Sequence, residues 1–199
     1  MRMTRVTEYR GYSLLELMAV MTLGVTLTAA AIPEYLAAVD AVRASGAVHH
    51  VSGRLQRARM EAVVRSAMVG VQFTQTSAGY SYAVYVDGNR NGVLTRDIQR
   101  GVDRLIASAE RLPEQFSGVE FGAIPGVPPV DPGGTPPGTD PIRLGSGNIA
   151  SFSALGTSSS GTVYIRSRRD VQYAVRIFGE TGKTRMLKFD PRTGQWKPL

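Results

Sequence analysis

The sequence predicts an α+β protein in which one long N-terminal helix, apolar enough in its first half to span a membrane, packs its second half on an antiparallel β-sheet domain. Three observations predict it. An apolar run broken only by Glu16 extends to Ile32 behind a short basic leader. Apolar residues then recur at three- and four-residue steps from Leu36 to Ala62. From Val69 onward the period shortens to that of strands, punctuated by turn residues.

The leader, Met1 to Gly11, sets Arg2, Arg5 and Arg10 against Glu8. Tyr12 to Ile32 is about 21 residues, roughly 31 Å of helix at ~1.5 Å per residue, which matches one bilayer core. A basic flank on the N-terminal side places that end in the cytoplasm and the bulk of the chain outside. An ordinary signal-anchor helix, or a secretory signal cut after Ala29-Ala30-Ala31, would share these features. Neither accounts for Glu16, because a lone carboxylate in lipid costs several kcal/mol unless something pairs with it. Snorkelling or protonation of Glu16 are the simpler alternatives.

The string Gly11-Tyr12-Ser13-Leu14-Leu15-Glu16-Leu17 resembles the prepilin leader of type IV pilins and type II secretion pseudopilins. The resemblance implies that a prepilin peptidase cuts between Gly11 and Tyr12 and methylates the new N-terminus. Tyr12 departs mildly from the Phe or Met usual there, and Pro33 stands where such helices commonly carry a proline. Cleavage creates a positive amine at Tyr12, one helical turn from Glu16. Side by side, one subunit's Glu16 then neutralises its neighbour's Tyr12 amine, and the cost of a buried unpaired charge favours assembly in register. The implied partners are the peptidase, other pilins or pseudopilins in a filament, and the bacterial inner membrane.

Of the 199 residues, about 165 remain beyond leader and anchor, enough for one domain with its own core. No cysteine is present, which excludes disulfide staples and thiol chemistry. The formal charge of +7 is uneven, with nine cations against three acids after Ala150. That basic tail suggests an anionic partner, although solvated surface charge is the simpler account.

Residues 34–68 read as an amphipathic helix. Leu36, Val39, Val42, Val48, Val51, Leu55, Ala58 and Ala62 form the stripe, and Arg54, Arg57, Glu61 and Arg65 lie among them. Pro33 is expected to kink the spine, and Ser45-Gly46 and Ser52-Gly53 to loosen it. A β-rich region, 69–199, follows. Val69–Thr76 and Tyr80–Val86 read as a hairpin, Val93–Leu112 as a strand or short helix, and Val119–Ile124 as a short strand. Residues 125–147 hold seven of the eleven prolines and read as a mobile loop insertion. Thr162–Arg166, Val171–Phe178 and Arg185–Phe189 are strand candidates. In the second, Val171, Tyr173, Val175 and Ile177 alternate with Gln172 and Arg176, the pattern of a half-buried strand.

Leu55 to Arg65 leading into Val69-Gly70-Val71, the Asp87-to-Gly92 loop and the closing strand–Gly–basic-strand unit resemble the FimT/GspH pseudopilins. The resemblance covers most of the chain except the Pro/Gly insertion, and it implies a pilin-like fold. The segment Gly182-Lys183-Thr184-Arg185 also resembles the glycine-basic-x-arginine motif of FimT-type pilins that bind DNA. With Lys188 and Arg192 it supplies the cations that phosphate contacts require, although Lys183 replaces an arginine and solvated hairpin charge is the simpler account.

Asp87, Asn89 and Asn91 mimic the start of a calcium loop, but Ile98 stands where a bidentate Glu belongs, so a structural turn is the preferred reading. Gly179 to Thr184 imitates a phosphate-binding loop but leads into a strand, not a helix. His49 and His50 are adjacent, so they point to different faces and make a poor metal pair. The lone Trp196 reads as a packing residue at a domain edge. No nucleophile–base set is evident, so neither enzymatic activity nor a cofactor is expected. The expected function is a minor pseudopilin of a secretion or pilus filament, or alternatively a minor pilin that captures DNA during transformation.

Overall fold

The computed structural model describes residues 11–145 and 147–199. The basic leader expected before Gly11 lies outside the described residues. The chain divides into two compact units, the first ending at Val39 and the second spanning Asp40–Leu199.

The elements are α1 (Leu14–Arg65), β1 (Val69–Thr76), β2 (Gly79–Val86), α2 (Thr95–Gln99), β3 (Arg104–Glu110), α3 (Leu112–Gln115) and β4 (Val119–Phe121). They continue with β5 (Ile142–Arg143), β6 (Ile149–Phe152), β7 (Gly161–Ser167), β8 (Gln172–Ile177), β9 (Thr184–Asp190) and β10 (Gln195–Pro198). The strands form two antiparallel sheets. One runs β3-β2-β1-β6; the other runs β10-β9-β8-β7-β4, with β5 also paired to β7. The α+β class expected from the sequence is therefore present.

Within Asp40–Leu199 the helix contributes Ala44, Ala47, Val48, Val51, Leu55, Ala58 and Ala62 to one core. Val69, Val71 and Phe73 meet them from the first sheet, and Val163, Ile165, Tyr173, Val175 and Ile177 from the second. Phe121 stands edge-on to Phe73 and Tyr82 at 5.4 and 5.8 Å, a geometry that aromatic quadrupoles favour. The buried stripe is shorter than the sequence pattern: Leu36 and Val42 stay exposed, and burial starts at Asp40.

Helix α1 runs through both Ser-Gly pairs, and Gly46 and Ser52 make tertiary contacts there. A Cβ on Gly46 would stand 3.0 Å from the Phe116 ring, and Ser52 Oγ bonds Thr184 Oγ1 at 2.8 Å. Helix α1 also passes through Pro33.

The Pro/Gly insertion is structured where the sequence suggested a mobile loop. It supplies β5, and Val127, Ile142 and Leu144 are buried. Val130 packs on Tyr164, Ala174 and Leu187 on the outer face of the second sheet. Strand β8 is consequently buried on both faces, not one. Gln172, expected to face solvent, is 1% exposed. Its amide accepts from Ile124 N at 2.8 Å and donates to Ile165 O and Tyr173 O, which satisfies a group whose burial would otherwise be costly. Arg176, on the same face, pairs with Asp131 of the insertion at 2.7 Å.

Candidate functional site

Helix α1 opens on a cap. Ser13 precedes it, and Ser13 Oγ accepts from the Glu16 amide at 3.3 Å. Ser13-Leu14-Leu15-Glu16 thus has the capping-box spacing, with an acid in the first turn where the helix dipole favours it. The sequence carried this signal, and it gives Glu16 a second role beside the one expected of it. Gly11, Tyr12 and Ser13 lie outside the helix and are exposed.

Among the described residues nothing covers the apolar side chains that follow: Leu14 is 77% exposed and Val25 69%. The helix is long and apolar enough to cross a membrane. Thr22, Thr26 and Thr28 each bond a carbonyl one turn back at 2.8 to 3.0 Å, so their hydroxyls need no water.

The basic hairpin is built from β8, β9 and the turn between them. Gly182 sits at φ +60°, and a Cβ there would lie 2.5 Å from Gly156 O, so the glycine is required by the turn itself. Gln56 Nε2 donates to Thr184 Oγ1 at 3.0 Å, fastening the turn to α1. Lys183 and Arg192 are exposed on the turns flanking β9. Along β9, Arg185 pairs in register with Arg176 on the outer face, whereas Lys188 pairs with Tyr173 on the core face. Lys188 Nζ lies 5.9 Å from the Tyr173 ring centre. Arg185 and Lys188 therefore do not converge. Lys197 bonds Asp190 at 2.6 Å and holds that carboxyl down to about 2. Trp196 packs as expected, its ring 5.3 Å from Phe189 and its Nε1 donating to Pro128 O at 3.1 Å.

In the loop after β2, the oxygens of Asp87 accept from the amides of Asn89, Arg90 and Gly92 at 2.8 to 3.0 Å. Asn91 Nδ2 donates to Asp97, a bond that lowers the Asp97 pKa. Asp103 accepts from Gly88 N and Leu94 N. Apart from the Asn91–Asp97 bond between side chains, these contacts fasten backbone amides, which is the work of a turn. Among the described residues no group of three or more His, Cys, Asp or Glu is placed to hold a metal ion.

Sequence reasoning missed a polar cluster between α1 and the first sheet. His50 Nε2 lies 3.0 Å from the Tyr82 hydroxyl and 3.1 Å from Glu110 Oε2, and Arg54 pairs with the other Glu110 oxygen. Burial opposes ionisation of Glu110. The hydrogen bonds from His50 and Tyr82 and the Arg54 charge outweigh it and hold the carboxyl below its usual range. Burial, then the Glu110 charge, pushes the Tyr82 hydroxyl well above its usual range. His49 instead bonds Ser45 O at 2.8 Å, so the two histidines diverge as their adjacency predicts.

Comparison with family models, with curated proteins and with solved structures found no match to this chain.

Proposed function

We propose that the chain is a minor pseudopilin-type subunit, processed after Gly11 and held in the bacterial inner membrane with its β domain on the extracytoplasmic side. The observation that carries this reading is a bare apolar helix with one carboxylate, entered through a non-helical Gly11-Tyr12-Ser13 segment. A protease needs extended, accessible backbone, and the cap at Ser13 keeps the bond after Gly11 out of the helix. After cleavage, the Tyr12 amine and Glu16 supply opposite charges four residues apart, and pairing between neighbouring subunits removes the cost of leaving either alone in lipid. The function is structural, in filament assembly and secretion, and involves no catalysis or cofactor.

Substitution separates this role of Glu16 from its place in the cap. Glutamine serves a capping box as well as glutamate does but carries no charge. Glu16→Gln is therefore expected to be processed normally and to lose cross-linking to neighbouring subunits in cells. Retained cross-linking in Glu16→Gln and Glu16→Ala would sink the pairing role.

The alternative, a DNA-capturing minor pilin, draws on Lys183, Arg185, Lys188 and Arg192. It is less supported because the strand register splits its central cations between two faces.

A further inference from the structure

A second basic hairpin, joining β7 to β8, is tied to the first residue of the globular unit. Its tip reads Arg166-Ser167-Arg168-Arg169-Asp170, with Arg168, Arg169 and Asp170 exposed. Below it Ser167 is buried, and its hydroxyl donates to Asp40 Oδ2. Arg169 N donates to the same oxygen at 3.3 Å, and Val171 N donates to Ser167 Oγ at 3.2 Å. Asp40 is itself only 8% exposed, so the hairpin cannot leave it without stripping partners from a buried carboxylate. Arg43, three residues further along α1, is exposed. Arg166 is already neutralised by Glu120 at 2.6 Å. The side chain of Arg168 lies over Gly118, 3.5 Å from where a Cβ there would stand.

The chain also limits where this hairpin can go. Eight residue-to-residue steps lead from Ile32 to Asp40. Even fully extended, at ~3.5 Å each, they reach only about 28 Å, whatever angle the globular unit adopts. A tether of that length keeps the local concentration of the hairpin at the bilayer surface high. Exposed cations held there are attracted to anionic lipid over a Debye length of about 8–10 Å.

We propose that the β7–β8 hairpin docks on anionic phospholipid headgroups through Arg168 and Arg169, together with Arg43 of α1. This rests on the reading of Tyr12–Ile32 as a membrane anchor. Each arginine near an anionic surface raises the docked population roughly fivefold. Free phosphate gains nothing from the tether, and so short a tip offers a nucleic acid few phosphate contacts.

The test uses the full chain in lipid nanodiscs, either of phosphatidylcholine alone or with phosphatidylglycerol added. The sequence has no cysteine, so Ser117→Cys, exposed beside Gly118, gives one labelling site for energy transfer to headgroup-labelled lipid. Transfer is expected to be higher in anionic discs and to fall at high salt. In Arg43→Gln/Arg168→Gln the docked population should drop about fivefold for each arginine removed, and Arg43→Lys/Arg168→Lys should restore it. Equal transfer in both discs, from a chain that resists alkaline extraction, overturns the docking while leaving the anchor intact. A chain that alkali extracts from both discs overturns the anchor, and the docking with it. Release of the hairpin by inorganic phosphate at matched phosphate concentration overturns the lipid as ligand. Release by duplex DNA at that concentration does the same.

Discussion

Arg185 and Lys188, three residues apart on β9, emerge from opposite faces of the second sheet: Arg185 lies across from Arg176, and Lys188 across from Tyr173. A nucleic acid lying along either face meets only part of the basic set. DNA binding by the detergent-solubilised chain is therefore expected to be weak, with a log–log salt slope no steeper than about −2, the value for roughly two phosphates. Gel shifts over a salt series measure it. A slope near −4, lost stepwise in Lys183→Gln, Arg185→Gln, Lys188→Gln and Arg192→Gln, would restore the DNA-capture reading.

Gly182 and Lys183 separate the two explanations of the closing hairpin. Gly182→Ala forces a side chain onto a left-handed φ and into Gly156 O, and is expected to cost about 2 kcal/mol or more. Lys183→Gln, on an exposed turn, is expected to stay within ~0.5 kcal/mol of the parent. Urea unfolding in detergent reads both. Equal effects would contradict the assignment of the glycine to the turn and of the lysine to solvent.

Removing the Glu110 charge leaves Arg54 half-buried without its partner and leaves His50 and Tyr82 a poorer acceptor. Glu110→Gln is expected to destabilise by about 1–3 kcal/mol at neutral pH. The folded pKa of Glu110 is depressed, so its contribution is complete above the unfolded carboxyl value, about 4.3. It is lost as pH falls through the lower, folded value. The stability gap between parent and variant should therefore close in acid. A gap that stays constant down to low pH would refute the linkage.

Gln172 holds Gly122 and Ile124, the residues that lead into the insertion, to the sheet. Gln172→Ala is expected to cost about 2–4 kcal/mol, because several buried backbone groups lose their partner together. It should also release the Ile124 amide, which Gln172 Oε1 binds at 2.8 Å, to fast hydrogen exchange. Trp196 reports the same event independently, since its indole donates to Pro128 O: detachment should shift its emission to the red. Unchanged exchange at Ile124 would mean that the insertion is held by other contacts.

Local pattern made the long helix, the first hairpin and strands β7, β8 and β9 legible. Each carries its own period, as in Val48, Val51, Leu55 and Ala58 on the helix. What stayed hidden depends on partners distant in sequence. Strand β6, Ile149–Phe152, is four residues long and is defined by pairing with β1. Gln172 reads as a solvent-facing residue until the insertion covers it. The polar cluster joins His50, Arg54, Tyr82 and Glu110 from three elements, and no sequence spacing announces it. The reading of Gly11, Tyr12 and Glu16 as the candidate site rests on one contiguous motif. The divergence of Arg185 from Lys188 follows from strand alternation once the boundaries of β9 are known.

The mature N-terminus of the chain in the membrane fraction of its host tests the central claim most directly. Mass spectrometry should find a chain that begins at Tyr12 and carries a methylated amine. A chain that begins at Met1, or at Ile32 after conventional secretion, leaves Glu16 with no neighbouring terminus to neutralise it and contradicts the account.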